Sequence, residues 1–143
     1  MSESNTAFID TNVWLYAFMK TVDIHRNKQA RNIIQRCNPV VTPQVINEVC
    51  VNLIKKADFK EDQIRELIES FYAKYRVISL DRALLTDASD IRERYSLSFW
   101  DSLIVSGALH SSTDLLYSED MQDGLKIDDR LQIINPFADN SVV

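Results

Sequence analysis

The sequence predicts an α/β protein, a three-layer α/β/α sandwich around a mainly parallel, five-stranded sheet. Short β-branched or aromatic runs alternate with longer segments of helical period, which is the pattern of a parallel sheet covered by helices. The length of 143 residues suits one core and leaves little room for a second, so a single domain over residues 1–143 is expected. Apolar residues at 45% and charged residues at 26% are ordinary for a packed chain and far from a disordered profile.

A first strand is expected over residues 6–9, followed by helices over 12–19 and 26–36. A second strand over 39–42 runs into Thr42-Pro43, an N-cap followed by proline at the first helical position, which opens a helix over 43–57. Asp58 or Lys60 leads into a helix over 61–74, whose first turn is acidic at Glu61-Asp62. A third strand over 76–79 precedes helices over 82–94 and 99–110, the second capped by Ser98. Strands over 115–117 and 132–134 complete the five. Residues 136–143 show no period and read as a loosely held tail.

Composition removes whole classes of function. With only Gly107 and Gly124 there is neither a P-loop nor a dinucleotide-binding turn, since both need clustered glycines for backbone amides to approach phosphate. His25 and His110 are the only histidines, too few for a histidine-rich zinc site, and each reads as a surface or helix-end residue. Cys37 and Cys50 lack the spacing of a metal or redox pair and read as reduced, semi-buried thiols. Met1-Ser2-Glu3-Ser4-Asn5 is not a basic segment followed by an apolar run, and no stretch approaches a membrane span, so a cytoplasmic protein is expected.

The net charge of −5 gives no basic footprint of the kind most nucleic-acid binders carry, although cations held by clustered carboxylates would invert the local field. Arg26, Lys28, Arg31, Lys55, Lys56, Arg82, Arg92 and Arg94 read as solvated helix faces with the option of local phosphate contacts.

Ligands of open parallel sheets bind beyond the carboxyl ends of the strands, so residues just after strands are the first candidates. Asp10 follows Ala7-Phe8-Ile9 and precedes Thr11 and Asn12, while Ser118, Glu119 and Asp120 follow Leu115-Leu116-Tyr117. Either aspartate also fits a turn or N-cap role. Asp101 falls on the same helical arc as Trp100, Ile104, Val105, Ala108 and Leu109, opposite Ser102, Ser106 and His110. A lone ionised carboxylate on a core-facing stripe is costly unless paired, protonated or bound to a cation. An arginine partner or a metal shared with Asp10 would each compensate it. Glu48 lies away from the stripe of Val45, Ile46, Val49, Cys50, Leu53 and Ile54, which reads as a solvated face.

Four pieces in order resemble the PIN domain, and more narrowly its VapC-like toxin ribonucleases: Phe8-Ile9-Asp10-Thr11-Asn12, Glu48, Phe99-Trp100-Asp101-Ser102-Leu103-Ile104, and Tyr117-Ser118-Glu119-Asp120. The resemblance implies acidic residues that bind Mg²⁺ or Mn²⁺, endonucleolytic cleavage of RNA, a homodimer, and often an antitoxin as partner. It makes Asp10, Glu48 and Asp101 the main acidic positions and Asp120 the fourth, with Glu119 and Asp123 as neighbouring candidates, and Asn12 and Ser118 as polar supports. Hard cations prefer such oxygen donors and would activate water without a histidine. Asp10 and Asp101 are then expected as direct ligands, Glu48 as a ligand or water-orienting group, and Asp120 as an outer or second-metal ligand. A catalytically inactive PIN-like module that holds RNA or protein is the alternative. A phosphotransfer domain using Asp10 as nucleophile is disfavoured, because Thr11-Asn12 follows in place of a second aspartate two residues on.

Overall fold

The computed structural model describes residues 5–19 and 23–138; the opening residues 1–4 and the end of the expected tail, 139–143, lie outside the described residues. The strands are β1 (Thr6–Ile9), β2 (Asn38–Val41), β3 (Arg76–Val77), β4 (Leu115–Tyr117), β5 (Lys126–Ile127) and β6 (Leu131–Ile134). The helices are α1 (Thr11–Phe18), α2 (Ile24–Arg36), α3 (Pro43–Ala57), α4 (Glu61–Lys74), α5 (Arg82–Tyr95) and α6 (Phe99–His110). They form one sheet of order β3-β2-β1-β4-β6-β5, parallel except for the β5–β6 pair.

The chain steps from β1 outward to β2 and β3, then crosses back to β4 on the other side of β1. Right-handed crossovers therefore place α1–α4 on one face and α5–α6 on the other. The reversal falls between β1 and β4, the switch point at which open α/β sheets form clefts. The β1 and β4 ends are locked together there, since the Asp10 amide donates to the Tyr117 carbonyl at 3.0 Å.

The core fills both faces. Phe8, Ile9, Val40, Val41, Leu116 and Ile133 of the sheet are buried against Val13, Trp14, Val45, Val49, Leu53, Ile104 and Val105. Trp14 packs edge-on to Phe71 at 4.9 Å and uses its indole N–H on the Ile9 carbonyl at 3.0 Å, so its one polar atom is satisfied. Helix α6 lies close to the sheet because Gly107 has no side chain. A Cβ there would stand 3.1 Å from Thr42 Cγ2 and 3.2 Å from the Phe8 ring.

Several expectations are corrected. The sheet has six strands, the addition being β5, a two-residue antiparallel partner of β6. Its hairpin turns through Asp128 and Asp129, both at positive φ (54° and 53°), where asparagine-glycine would be the usual signal. Long-range contacts hold that turn: Arg94 Nη1 reaches Asp128 Oδ1 at 2.7 Å, and the Tyr95 hydroxyl donates to the same oxygen at 3.0 Å. Thr42 is the N-cap of α3 as expected, so β2 stops at Val41, one residue short of the expected strand, and of the two residues offered at the start of α4 it is Lys60 that caps it. Asp58 instead closes α3 in the left-handed region.

Another correction concerns α6. It is buried nearly all round from Ser102 to Ala108, so Ser102 and Ser106 face protein and not solvent, whereas Trp100 is exposed. Both serines are satisfied, Ser102 by the Phe99 carbonyl at 2.6 Å and Ser106 by the Leu84 carbonyl at 2.7 Å. Ile54 of α3, expected on the buried stripe, is also exposed.

Candidate active site

Asp10 stands at the carboxyl end of β1 and caps α1 at once: its Oδ1 accepts from the Thr11 amide at 2.7 Å. Its Oδ2 accepts from the Ser118 hydroxyl at 2.9 Å across the switch point. One side chain therefore caps α1 and ties β1 to the segment after β4. Asp10 is only 6% exposed, and no lysine, arginine or histidine among the described residues forms an ion pair with it. Burial pushes its carboxyl up from 3.8 to about 6, opposed by the Thr11 and Ser118 hydrogen bonds and reinforced by the charges of Asp120 and Glu48.

Glu48 is brought in by side-chain bonds that helical periodicity does not reveal. The Thr11 hydroxyl donates to Glu48 Oε1 at 2.6 Å, and Gln44 Nε2 donates to Oε2 at 3.3 Å. Glu48 is half-buried and turned toward the end of β1, not solvated. Gln44 has no signal in the sequence that would place it beside Glu48, and the reach of Thr11 to Glu48 is equally silent there. What the sequence does show is the Thr11 hydroxyl at the strand end, next to the Asp10 carboxylate. Around the start of α3, Thr42 Oγ1 and Gln44 Oε1 are buried with no hydrogen-bond partner among the described residues.

Asp120 is exposed and is gripped from β1's side: Asn12 Nδ2 donates to both of its carboxylate oxygens at 3.1 Å. Its amide donates to Ser118 Oγ at 3.3 Å, so Ser118 links Asp120 to Asp10. The neighbouring acids are engaged elsewhere. Glu119 takes the Tyr16 hydroxyl at 3.2 Å and pairs with Arg26 Nε at 3.3 Å, and Asp123 accepts the Asn135 amide at 2.8 Å.

Asp101 occupies the first turn of α6, where Ser98 Oγ accepts the Asp101 amide at 3.1 Å. It is half-buried, and burial raises its pKa; the Ser98 hydroxyl pulls it down, while Asp120 and Glu48 push it up. No arginine pairs with it among the described residues; Arg92 instead bonds Ser102 Oγ at 2.8 Å and lies over the Phe99 ring. The burial argument raised for Asp101 thus applies more strongly to Asp10.

Asp10, Glu48 and Asp120 are joined through Thr11, Asn12 and Ser118 at the ends of β1 and β4, Asp101 stands near enough to feel the charges of Glu48 and Asp120, and among the described residues no basic side chain pairs with any of the four. As the side chains stand, no three acidic, histidine or cysteine groups among the described residues close to ion-binding range. Asp10 and Glu48 are tied to the frame, whereas Asp101 and Asp120 have the exposure to turn. The donors that Asp10, Glu48, Asp101 and Asp120 offer are oxygens, which suits a hard divalent cation and not a soft one.

Residues outside the cleft have other duties. His110 pairs with Asp87 at 2.7 Å at the far end of α6, and Asp23 caps α2 by accepting the His25 amide at 3.0 Å. Both thiols are free; burial pushes Cys37 up to about 11 and Cys50 upward as well, which disfavours the thiolate of each. Phe137 packs edge-on to Tyr16 at 4.9 Å. No helix among the described residues is long and apolar enough to cross a membrane.

Two expected results follow from this geometry. Folded Asp10 keeps its proton up to about pH 6 and unfolded Asp10 releases it near 3.8, so the folded chain binds more protons in between. Without bound ions, stability therefore falls as pH rises through that window, by about 3 kcal/mol in total. Denaturant unfolding in chelator, with Asp10→Asn as reference, measures it; a rise in stability relative to that variant would contradict the assignment. Thr11→Val removes the bond that turns Glu48 inward. If Glu48 acts in the site, single-turnover activity on a substrate falls about tenfold, equivalent to one charge-assisted hydrogen bond. Unchanged turnover in a folded Thr11→Val protein would make the Glu48 orientation irrelevant.

A family model described as PIN domain matches residues 7–126. The comparison with curated protein sequences yields no match. Among solved structures, the chain is similar to a toxin-antitoxin complex from Klebsiella pneumoniae, with 16% identity over 92% of this chain and 98% of that one and a TM-score of 0.66. It is similar to VapC20 of Mycobacterium tuberculosis, a toxin that cleaves the sarcin-ricin loop, with 16% identity over 80% and 89% of the two chains and a TM-score of 0.66. It is also similar to VapBC2 from Rickettsia felis bound to a promoter DNA fragment, with 16% identity over 90% and 96% and a TM-score of 0.63. At such identities the likeness is one of fold.

Proposed function

The chain belongs to the PIN domain family, and from that premise we propose that it is a divalent-metal-dependent endoribonuclease that hydrolyses RNA phosphodiester bonds. The observation that carries the reading is the buried Asp10 carboxylate, without an ion-pair partner among the described residues, bonded to Ser118 across the switch point and pushed up to about 6 by burial and by the charges of Asp120 and Glu48. Such a group is costly to ionise unless a cation joins it.

Mg²⁺ or Mn²⁺ fits the all-oxygen donor set, with Asp10 and Asp101 as direct ligands and Glu48 and Asp120 completing the site. When bound, such an ion lowers the pKa of water and offsets charge on the phosphate oxygens. The chain's own groups do the positioning. Ser118 and the Thr11 amide fix both Asp10 oxygens, Thr11 and Gln44 aim Glu48 to orient the attacking water, and Asn12 holds Asp120 at the rim. No histidine takes part.

On this reading the described residues act as one PIN-like unit. An antitoxin and a second copy of the chain are the proposed protein partners, the first supported by the toxin-antitoxin complex among the structural neighbours. The test is incubation of structured and single-stranded RNA with the protein after chelation and after Mn²⁺ or Mg²⁺ is returned. Cleavage is expected to disappear with chelator and to return with either ion. Cleavage indifferent to chelation would refute the metal-dependent reading, and RNA binding without cleavage under all conditions would favour the inactive module.

A further inference from the structure

We propose that Trp100, braced by Phe99, is a stacking platform for a nucleobase of the strand whose phosphate enters the acidic cleft; the proposal rests on the reading of that cleft as a site for RNA. Trp100 is 61% exposed, the most exposed of the large hydrophobic side chains described, and Phe99 is 55% exposed. Exposing so much aromatic surface forgoes burial free energy, so both rings call for an explanation beyond the fold. They open α6 immediately before Asp101, with Ser98 capping that turn, so both rings stand within one helical turn of a site carboxylate.

The two rings are ordered relative to each other and to a cation. Their centroids lie 5.4 Å apart at 74°, an edge-to-face pair. The Arg92 guanidinium lies 4.2 Å from the Phe99 ring centre and is itself held by Ser102 Oγ at 2.8 Å. Phe99 is therefore clamped, Trp100 leans on it, and a fixed positive charge stands beside the pair for a backbone phosphate.

Charge and size decide the occupant. The chain carries a net charge of −5 and its cleft is acidic, so long-range attraction does little to hold a polyanion. Affinity for RNA must come from local contacts, and stacking is the sequence-tolerant one, since every base has a π-face. Ser96 and Ser98, which precede the pair in sequence, are exposed and polar. The exposed indole of Trp100 offers a flat face of the size of one base.

Trp14 is fully buried, so in the intact protein Trp100 is the tryptophan whose fluorescence answers to a ligand on this surface. Titration with a short oligoadenylate in chelator is expected to quench that fluorescence, and an abasic ribose-phosphate chain of equal length is expected not to. Trp100→Ala should weaken oligoadenylate binding about tenfold and Trp100→Phe should restore most of it. With Mn²⁺ present, the Ala variant's loss should fall mainly on KM. Cleavage by wild type with KM unchanged in Trp100→Ala would overturn the platform and leave the nuclease reading standing. Binding lost in Trp100→Ala from a wild type that cuts nothing would keep the platform and refute the nuclease reading. Equal binding of the abasic chain, or a dimer that dissociates in Trp100→Ala while binding per chain is unchanged, would overturn the platform and assign the rings to the backbone or to a second copy.

Discussion

Asp10→Asn is expected to lower RNA cleavage by at least about a thousandfold while making the ion-free protein more stable at neutral pH. On the proposed reading the activity loss follows from removing a direct charged ligand, since the charge stabilisation a bound cation would supply is several kcal/mol. The stability gain has a different origin. Wild-type Asp10 is buried and above its pKa of about 6 at pH 7, so it carries a desolvated charge that asparagine lacks. Asparagine keeps an oxygen for the Thr11 amide and remains a good N-cap. The gain should be about 1 to 3 kcal/mol at pH 7 and should vanish near pH 4, where wild type is also neutral. Unfolding curves at the two pH values measure it. A variant that is both inactive and less stable at pH 7 would mean that the carboxylate is a structural cap alone.

Asp101→Asn is expected to match that loss of activity with little change in stability, within about 0.5 kcal/mol. Two small effects oppose each other. The carboxylate sits in the first turn of α6, where the helix dipole favours negative charge, yet it is half-buried and repelled by Glu48 and Asp120. Cleavage rates and melting curves on the same preparation separate it from Asp10→Asn. Wild-type cleavage in a folded Asp101→Asn protein would remove Asp101 from the site.

The contrast between these two aspartates shows what reading the sequence reaches. Strands at 6–9 and 115–117 and helices at 43–57, 61–74 and 99–110 were legible because apolar period, caps and length agreed locally. Asp10 was legible as a strand-end carboxylate next to a hydroxyl and an amide. Its burial was not, because that depends on Ser118 arriving from 108 residues away. Asp101 reads as the buried charge because a helical wheel assumes one wet face, whereas α6 is packed nearly all round. Glu48 looked solvated by the same wheel, since nothing in the sequence of α3 shows that Thr11 reaches it. Strand β5 escaped because two residues carry no period and its Asp128-Asp129 turn is held by Arg94 and Tyr95 from another element.

All of these readings meet in one claim, that the carboxylates at the switch point hold a divalent cation. A crystal soaked in Mn²⁺ and recorded near the manganese edge tests it directly. The expected result is an anomalous peak about 2.2 Å from carboxylate oxygens of Asp10 and Asp101, with Asp101 or Asp120 turned inward to reach it. A Mn²⁺-saturated crystal of protein that cleaves RNA, with no peak at Asp10, would contradict it.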